Sequence, residues 1–251
     1  SSWAEQVLLG PRRLATDVGC GDLDLDGDLD AVATFEGGGH KVLDNQGGLY
    51  FSPTSLPGTE DAVGVAMADV DHDGDLDVAI HEDYGSRLFI NDRDPSLDEV
   101  LFVELLAQVG TCDDPVYRVD WSARATLLGG RSQGVRELVS TQSRGSQHMP
   151  WLHFARSPGA IAELEVRLQR SGDAGVLPVP DFGADYPLWT IHDDDPDGDG
   201  ILSVHEPLDS DGDGRADAWS LDADADGLSD AEEAGDTDPC TPPHPGVFDP
   251  D

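Results

Sequence analysis

Aspartates occupy alternate positions in the stretch GDLDLDGDLDAVA, residues 21–33. The stretch reads D-x-D-x-D-G-x-x-D, with carboxylates at loop positions 1, 3, 5 and 9 and a glycine at position 6. Carboxylate oxygens are the preferred ligands of hard cations such as Ca²⁺, and glycine permits the sharp turn of a loop that wraps an ion. Because carboxylates this close together repel one another, the pattern predicts a calcium loop.

The same pattern returns one repeat later as ADVDHDGDLDVAI, residues 68–80. At this offset Asp22 falls on Asp69 and Asp30 falls on Asp77. After each loop come an apolar stretch, a polar turn and a second apolar stretch, a pattern typical of short antiparallel strands joined by tight turns. Repeats of this length that consist of short strands predict the blades of a propeller.

The two repeats resemble the FG-GAP/VCBS repeats of integrin-like β-propellers. This resemblance implies side-chain ligands at positions 1, 3, 5 and 9 and a backbone carbonyl ligand at position 7. The implied ligands are Asp22, Asp24, Asp26, Asp30 and the carbonyl of Asp28, then Asp69, Asp71, Asp73, Asp77 and the carbonyl of Asp75. Propellers usually have four or more blades. Either other copies or an upstream segment therefore supply further blades, or the pair forms a small open sheet.

Three more aspartate loops lie in the acidic tail. DPDGDGILSVHE, residues 195–206, and DADADGLSDAEE, residues 222–233, fit twelve-residue EF-hand-type loops with glutamate near the end. The predicted ligands are Asp195, Asp197, Asp199, the carbonyl of Ile201 and Glu206, then Asp222, Asp224, Asp226, Asp230 and Glu233. The middle loop offers Asp209, Asp211, Asp213 and Asp217 but has Ser220 in place of the glutamate. We expect this middle site to be weaker or to borrow a carboxylate such as Asp222.

The tail loops follow one another too closely for the paired helices of ordinary EF-hands. Over residues 193–240 they resemble thrombospondin type 3 repeats, which implies that calcium ions replace an apolar core. The tail has few apolar residues, so we expect its order to come from bound ions. With the two loops of the repeats, the sequence predicts about five Ca²⁺ sites.

Residues 97–191 have no repeat and few acidic residues. Runs such as VLFVELLA and WLHFA predict an antiparallel sandwich of six or more strands. The segment resembles the ASPIC/UnbV domain through GGRSQGVRELVSTQSRGSQHMPWLHFA and AELEVRLQRSG. We expect His148 and His153 to be ordinary polar residues of a hairpin.

Composition agrees with a mainly β protein of three parts: residues 1–96, 97–191 and 192–251. The 29 glycines and 17 prolines indicate many turns. The 52 acidic residues against 14 basic ones give a net charge of -38, which disfavours nucleic acid as a partner. No apolar run is long enough for a membrane span. The cysteines Cys20, Cys112 and Cys240 are odd in number, and their pairing stays open.

These features predict a non-enzymatic calcium-binding protein, secreted or at the cell surface, for adhesion or surface architecture. The resemblances point to a bacterial source. The sequence has no G-x-S-x-G or H-E-x-x-H motif and no paired acids outside the loops. One alternative is a self-assembling fibre or sheath subunit, because missing blades invite completion by another copy. Another is a carbohydrate-binding accessory module of a secreted enzyme. The expected partners are calcium ions and a second copy, a cell-surface protein or a glycan.

Overall fold

The computed structural model describes residues 14–47, 50–57, 60–93, 95, 99–111, 114–132, 134–140, 149–182, 186–203, 205–206 and 209–234. These residues form fifteen strands in several sheets and one short α-helix. The prediction of a mainly β protein is therefore confirmed. Among the described helices, none has the length and apolar character needed to cross a membrane. Cys112, Cys240 and His148 lie outside the described residues, and Cys20 lies at an exposed position.

The first repeat forms a four-stranded antiparallel blade. Its strands are β1 (Ala15–Gly21), β2 (Asp30–Phe35), β3 (Lys41–Asn45) and β4 (Phe51–Ser55), paired in chain order. The first aspartate loop, residues 22–30 and here called loop A, joins β1 to β2 and ends on the first residue of β2.

The second repeat forms a blade of only three strands. They are β5 (Ala62–Ala68), β6 (Asp77–Glu82) and β7 (Gly85–Phe89), with loop B, residues 69–77, between β5 and β6. At the repeat offset, β4 falls on residues 98–102, and of these residues 100–102 belong to β8 (Val100–Gln108), the first strand of the next sheet. The two blades pack against each other through Val32 of the first and Val65 and Ile80 of the second. They are thus two adjoining sheets and not one open sheet.

Eight further strands form a two-sheet sandwich, as the sequence predicts. One sheet has the order β11-β10-β13-β14, and the other has β12-β8-β15 with β9 also paired to β8. The strands are β8 (Val100–Gln108), β9 (Tyr117–Val119), β10 (Arg124–Leu128), β11 (Arg136–Glu137), β12 (Leu152–Ala155), β13 (Glu163–Arg167), β14 (Ala174–Pro178) and β15 (Leu188–His192).

One strand pair departs from the antiparallel prediction. β15 runs parallel to β8, with Leu188 opposite Phe102 and His192 opposite Leu106. A hairpin turn would force antiparallel pairing, but β15 reaches β8 after the chain has passed through the other sheet, so no turn dictates its direction.

The central strand β8 is buried on both faces. Leu101, Val103 and Leu105 point into the core between the two sandwich sheets. The alternate residues Val100 and Phe102 pack on the opposite side, where Leu25 of loop A and Leu76 of loop B join them. Side chains of a strand alternate between its two faces, so β8 needs a cover on each side. The aspartate loops of the blades provide the second cover.

The tail carries loop C (195–206), loop D (209–220), loop E (222–233) and the short helix α1 (Asp230–Ala234). A 3-10 turn at Asp217–Trp219 directs the indole of Trp219 into the sandwich core, where it is 3% exposed. A Cβ at Gly175 of β14 would lie 2.0 Å from this indole, so the contact requires glycine there. The tail therefore has an apolar anchor in addition to the bound ions that the sequence predicts to order it. The reason is that one tryptophan buries as much surface as several small residues.

Candidate metal sites

The five aspartate loops share one set of hydrogen bonds at their first position. In each loop the position-1 carboxylate accepts the N–H of the glycine at position 6. The N–O distances are 3.1 Å for Gly27 to Asp22, 3.0 Å for Gly74 to Asp69, 3.2 Å for Gly214 to Asp209 and 3.1 Å for Gly227 to Asp222, and Gly200 bonds Asp195 likewise. This hydrogen bond occupies one oxygen of the position-1 carboxylate and brings position 6 of the loop back to position 1.

Positions 3 and 5 accept backbone N–H groups two residues further on. In loop A, Asp24 accepts from Asp26 at 3.1 Å and Asp26 accepts from Asp28 at 2.8 Å. Loops C, D and E repeat both bonds. Loop B repeats the second one, while the N–H of Asp73 donates to Asp69 instead. These successive Asx turns wind the chain so that the second oxygens are left for a ligand.

The position-9 aspartates are buried and close the loops. Asp30 accepts the N–H groups of Leu23 and Asn45, both at 2.8 Å, and Asp77 makes the equivalent pair of bonds. Asp217 accepts from the N–H and the hydroxyl of Ser210. All of these carboxylates are at most 2% exposed. Position 9 therefore has a structural role in addition to the predicted ligand role.

Carboxylate oxygens of each cluster approach within 4.8 Å of one another. Two ligands on opposite sides of a calcium ion lie about 5 Å apart, because each Ca–O distance is about 2.4 Å. The clusters thus have the right size for one hard cation. The sets brought together include Asp22, Asp24 and Asp30; Asp69, Asp71 and Asp77; Asp195, Asp197 and Asp199; Asp199, Glu206 and Asp230; and Asp209, Asp211 and Asp213.

Many of these oxygens are buried without a hydrogen-bond donor. Such groups are rare in folded proteins and each needs an explanation. The loop oxygens in this state are Asp22 Oδ1, Asp75 Oδ1, Asp197 Oδ2, Asp199 Oδ2, both oxygens of Glu206, Asp222 Oδ1, Asp224 Oδ2 and Asp230 Oδ2. The residues present therefore fit a cation in the loops.

In the absence of an ion, burial and mutual repulsion disfavour the charged form of the loop carboxylates. Burial raises the pKa of Asp22 to about 7, with Asp30 and Asp26 adding repulsion. Burial and the neighbouring aspartates raise the pKa of Asp197 to about 8 and the pKa of Glu206 to about 10. A bound cation favours the charged form and would reverse these shifts.

The blade loops are held from outside by the sandwich. Arg136 Nη2 donates to the carbonyl of Gly27 at 3.3 Å, and His153 Nε2 lies 3.3 Å from the carbonyl of Gly74. Tyr186 donates its hydroxyl hydrogen to Asp69 Oδ2 at 2.7 Å. Sequence reasoning missed Arg136 and Tyr186 because nothing in the local pattern marks a contact between distant segments.

His153 is a buried packing residue. Its ring lies 4.8 Å from the ring of Phe102, and burial lowers the pKa of His153 to about 4. A neutral imidazole can donate one N–H, and the carbonyl of Gly74 is the acceptor within reach. Its strand β12 pairs with β8, which lies much earlier in the chain, so the expectation of a hairpin is wrong for His153.

Comparison with known proteins bears on the two blades. A search of curated proteins gives no significant match to the chain. Residues 22–80 match the family model of the FG-GAP-like repeat. The matched stretch runs from the first residue of loop A through loop B into β6. The resemblance inferred from the two aspartate loops is therefore confirmed for this part of the chain.

Proposed function

We propose that loops A to E each bind Ca²⁺ and that the protein is a non-enzymatic extracellular module for adhesion or surface architecture. One observation carries the calcium proposal. In loops A, C and E, a backbone N–H group takes one oxygen of a carboxylate while the other oxygen is buried without a donor, as at Asp22, Asp197 and Asp224. Such a donor set needs a cation to be stable.

The chemistry of the donors favours calcium over other metals. The predicted ligands are carboxylate and carbonyl oxygens, with no histidine or cysteine among them. Hard oxygen donors suit Ca²⁺ and Mg²⁺, whereas zinc and copper sites use nitrogen and sulfur. Calcium accepts six to eight oxygens in a flexible arrangement, but magnesium requires a near-ideal octahedron and retains its waters. Loops built from five or six protein oxygens therefore favour calcium.

The proposed extracellular and adhesive role rests on the FG-GAP-like repeat and on the calcium affinity expected of such loops. FG-GAP-like repeats occupy residues 22–80. Calcium loops in extracellular modules have dissociation constants of about 0.1 to 1 mM, which suits the calcium level outside cells. The resemblances of residues 97–191 to ASPIC/UnbV domains and of residues 193–240 to thrombospondin type 3 repeats belong to the same proposal.

Direct binding tests the calcium proposal. We expect isothermal titration of chelator-stripped protein to show saturable uptake of about five Ca²⁺ per chain, and native mass spectrometry to give the same count. Asp22→Ala removes the position-1 ligand and should reduce the count by one. Asp83→Ala removes a carboxylate at an exposed position outside the loops and should leave the count unchanged. Absence of saturable uptake by the unmodified protein would refute the proposal.

A self-assembling subunit is the second candidate, favoured by the edge strand β7. The described residues place β7 at the end of its sheet, because the counterpart of β4 continues into β8. Leu88 and Ile90 beside this edge are 54% and 49% exposed. Edge strands with exposed apolar residues pair readily with other chains.

Light scattering and electron microscopy in the presence of calcium distinguish a self-assembling subunit from a protein that stays a single chain. Self-assembly predicts particles larger than one chain, and Leu88→Lys should disperse them, because it places charge at the edge. Ile161→Lys changes an exposed isoleucine far along the chain, 93% exposed, and serves as the control. A single-chain mass at high protein concentration in calcium would exclude the subunit.

A further inference from the structure

Loops C and E meet at three carboxylates. Asp199 and Glu206 come from loop C, and Asp230 is the position-9 residue of loop E and the first residue of α1. One oxygen of each lies within 4.8 Å of the others. The sequence predicts Asp230 as a ligand of its own loop only, so this meeting of two loops was not expected.

Asp230 is completely buried and firmly placed. It is 0% exposed, its N–H donates to the carbonyl of Leu221 at 3.0 Å, and its Oδ1 accepts the N–H of Ala223 at 3.0 Å. These two bonds leave the Oδ2 oxygen of Asp230 without a hydrogen-bond donor.

The two loop C carboxylates also have buried oxygens without hydrogen-bond donors. Asp199 Oδ1 accepts the N–H of Ile201 at 2.6 Å, while Asp199 Oδ2 and both oxygens of Glu206 have no donor. Among the described residues, none of the ion pairs includes these three carboxylates. Three carboxylates from two loops thus lie together, and each of them has at least one buried oxygen without a donor.

We propose that a calcium ion bound jointly by Asp199, Glu206 and Asp230 ties loop C to loop E. The inference rests on the proposed calcium function and deepens it, because it assigns a site that spans two loops. Oxygens within 4.8 Å of one another can share one ion at Ca–O distances of about 2.4 Å. Glu206 offers both oxygens for bidentate binding, as the last ligand of such loops does.

The joint site would make the tail one cooperative unit. Loop D and most of loop E lie between residues 206 and 230. An ion bound by both residues would therefore hold the two ends of this segment together. Removing that ion would open loops C and E together, whereas isolated loops would open one by one. Trp219, anchored in the sandwich core, lies within the closed segment.

A double-mutant cycle on the full chain tests the proposal. The first pair is Asp230→Asn with Glu206→Gln. The matched pair is Asp217→Asn with Glu206→Gln, because Asp217 is the position-9 residue of loop D and both its oxygens accept bonds from Ser210. Calcium affinity is measured by isothermal titration, with thermal unfolding in calcium and in chelator as a second measurement.

We expect Asp230→Asn and Glu206→Gln each to weaken one tail site at least tenfold, and the double variant to lose little more than one single variant. The Asp217 pair should be additive, since its members belong to separate sites. In chelator, Asp230→Asn should not lower the melting temperature, because it removes a repelling charge.

Three results would overturn the joint site. The first is additivity of the Asp230 pair. The second is an equal loss of stability for Asp230→Asn in calcium and in chelator, which would mark a purely structural role. The third is an unchanged affinity for both single variants. Failure of the calcium function as a whole looks different, because the unmodified protein would then take up no calcium.

Discussion

The blade loops and the tail loops share one motif but differ in what surrounds them. Loops A and B lie against the sandwich, where Leu25 and Leu76 are buried and Arg136 binds a loop carbonyl. Loops C and E lie against each other, and their converging groups are carboxylates. In loop A both oxygens of Asp30 accept backbone N–H groups, whereas in loop E one oxygen of Asp230 has no donor. The same motif therefore occurs in two surroundings, one covered by the sandwich and one formed by facing carboxylates.

Removing calcium should have the largest effect and should separate the two regions. With chelator, we expect amide hydrogen exchange in residues 195–206 and 222–234 to accelerate about 100-fold or more, because buried carboxylates lose their counter-ion. Exchange in β8 should change little. Loops A and B should lie between these extremes, since the sandwich still covers them. Equal acceleration of blade and tail loops would contradict the comparison.

Trp219→Ala should weaken the apolar anchor of the tail even in calcium. Truncating a buried tryptophan costs about 3 to 5 kcal/mol, and here we expect the loss in docking of the tail on Gly175. Limited proteolysis in calcium should show earlier cleavage in residues 209–234. Leu221→Ala, at a residue 47% exposed, should change the cleavage rate little. Unchanged protection in the tryptophan variant would mean that ions alone hold the tail.

Calcium should reverse the pH dependence of stability. In ion-free protein the pKa values of Asp197 (about 8) and Glu206 (about 10) lie above those of an unfolded chain, so the folded state binds more protons. Its stability is then greatest near about pH 4 and falls as the pH rises towards 8. With calcium, deprotonated ligands are needed, and stability should rise over the same window.

Melting temperatures between about pH 4 and pH 8, measured in calcium and in chelator, check this reversal. We expect changes of several degrees with opposite slopes. Glu206→Gln should flatten the slope in chelator, because glutamine does not titrate. Parallel slopes in the two conditions would show that the loop carboxylates do not respond to calcium.

Arg136→Gln should have the smallest effect and should act on the blades only. It removes a bond of a buried charged group to the carbonyl of Gly27, worth about 1 to 3 kcal/mol. We expect weaker calcium binding at loop A with the tail sites unchanged. Arg124→Gln on the neighbouring strand removes an exposed ion pair with Glu137 and should change stability by less than about 1 kcal/mol. A loss of tail calcium from Arg136→Gln would mean that blades and tail are coupled through the sandwich.

The aspartate loops could be predicted because their geometry is local. The bonds from position 6 to position 1 and from positions 5 and 7 to positions 3 and 5 join residues at most five apart, so residue types and spacing suffice to specify them. The blade strands follow in the same way from alternating apolar residues and turns. The match of residues 22–80 to the FG-GAP-like repeat confirms that this local signal was sufficient.

Only the tertiary structure decided which segments meet. Residues 100–102 match part of a fourth blade strand at the repeat offset, yet they belong to β8, because β8 is covered by the second sandwich sheet on one face and by loops A and B on the other. Likewise, β15 runs parallel to β8, Trp219 packs on Gly175, and a carboxylate oxygen of Asp230 lies within 4.8 Å of one of Glu206. Each of these contacts joins residues far apart in the chain. The sequence by itself determined the loops and the strands, whereas their partners depended on burial summed over the whole fold.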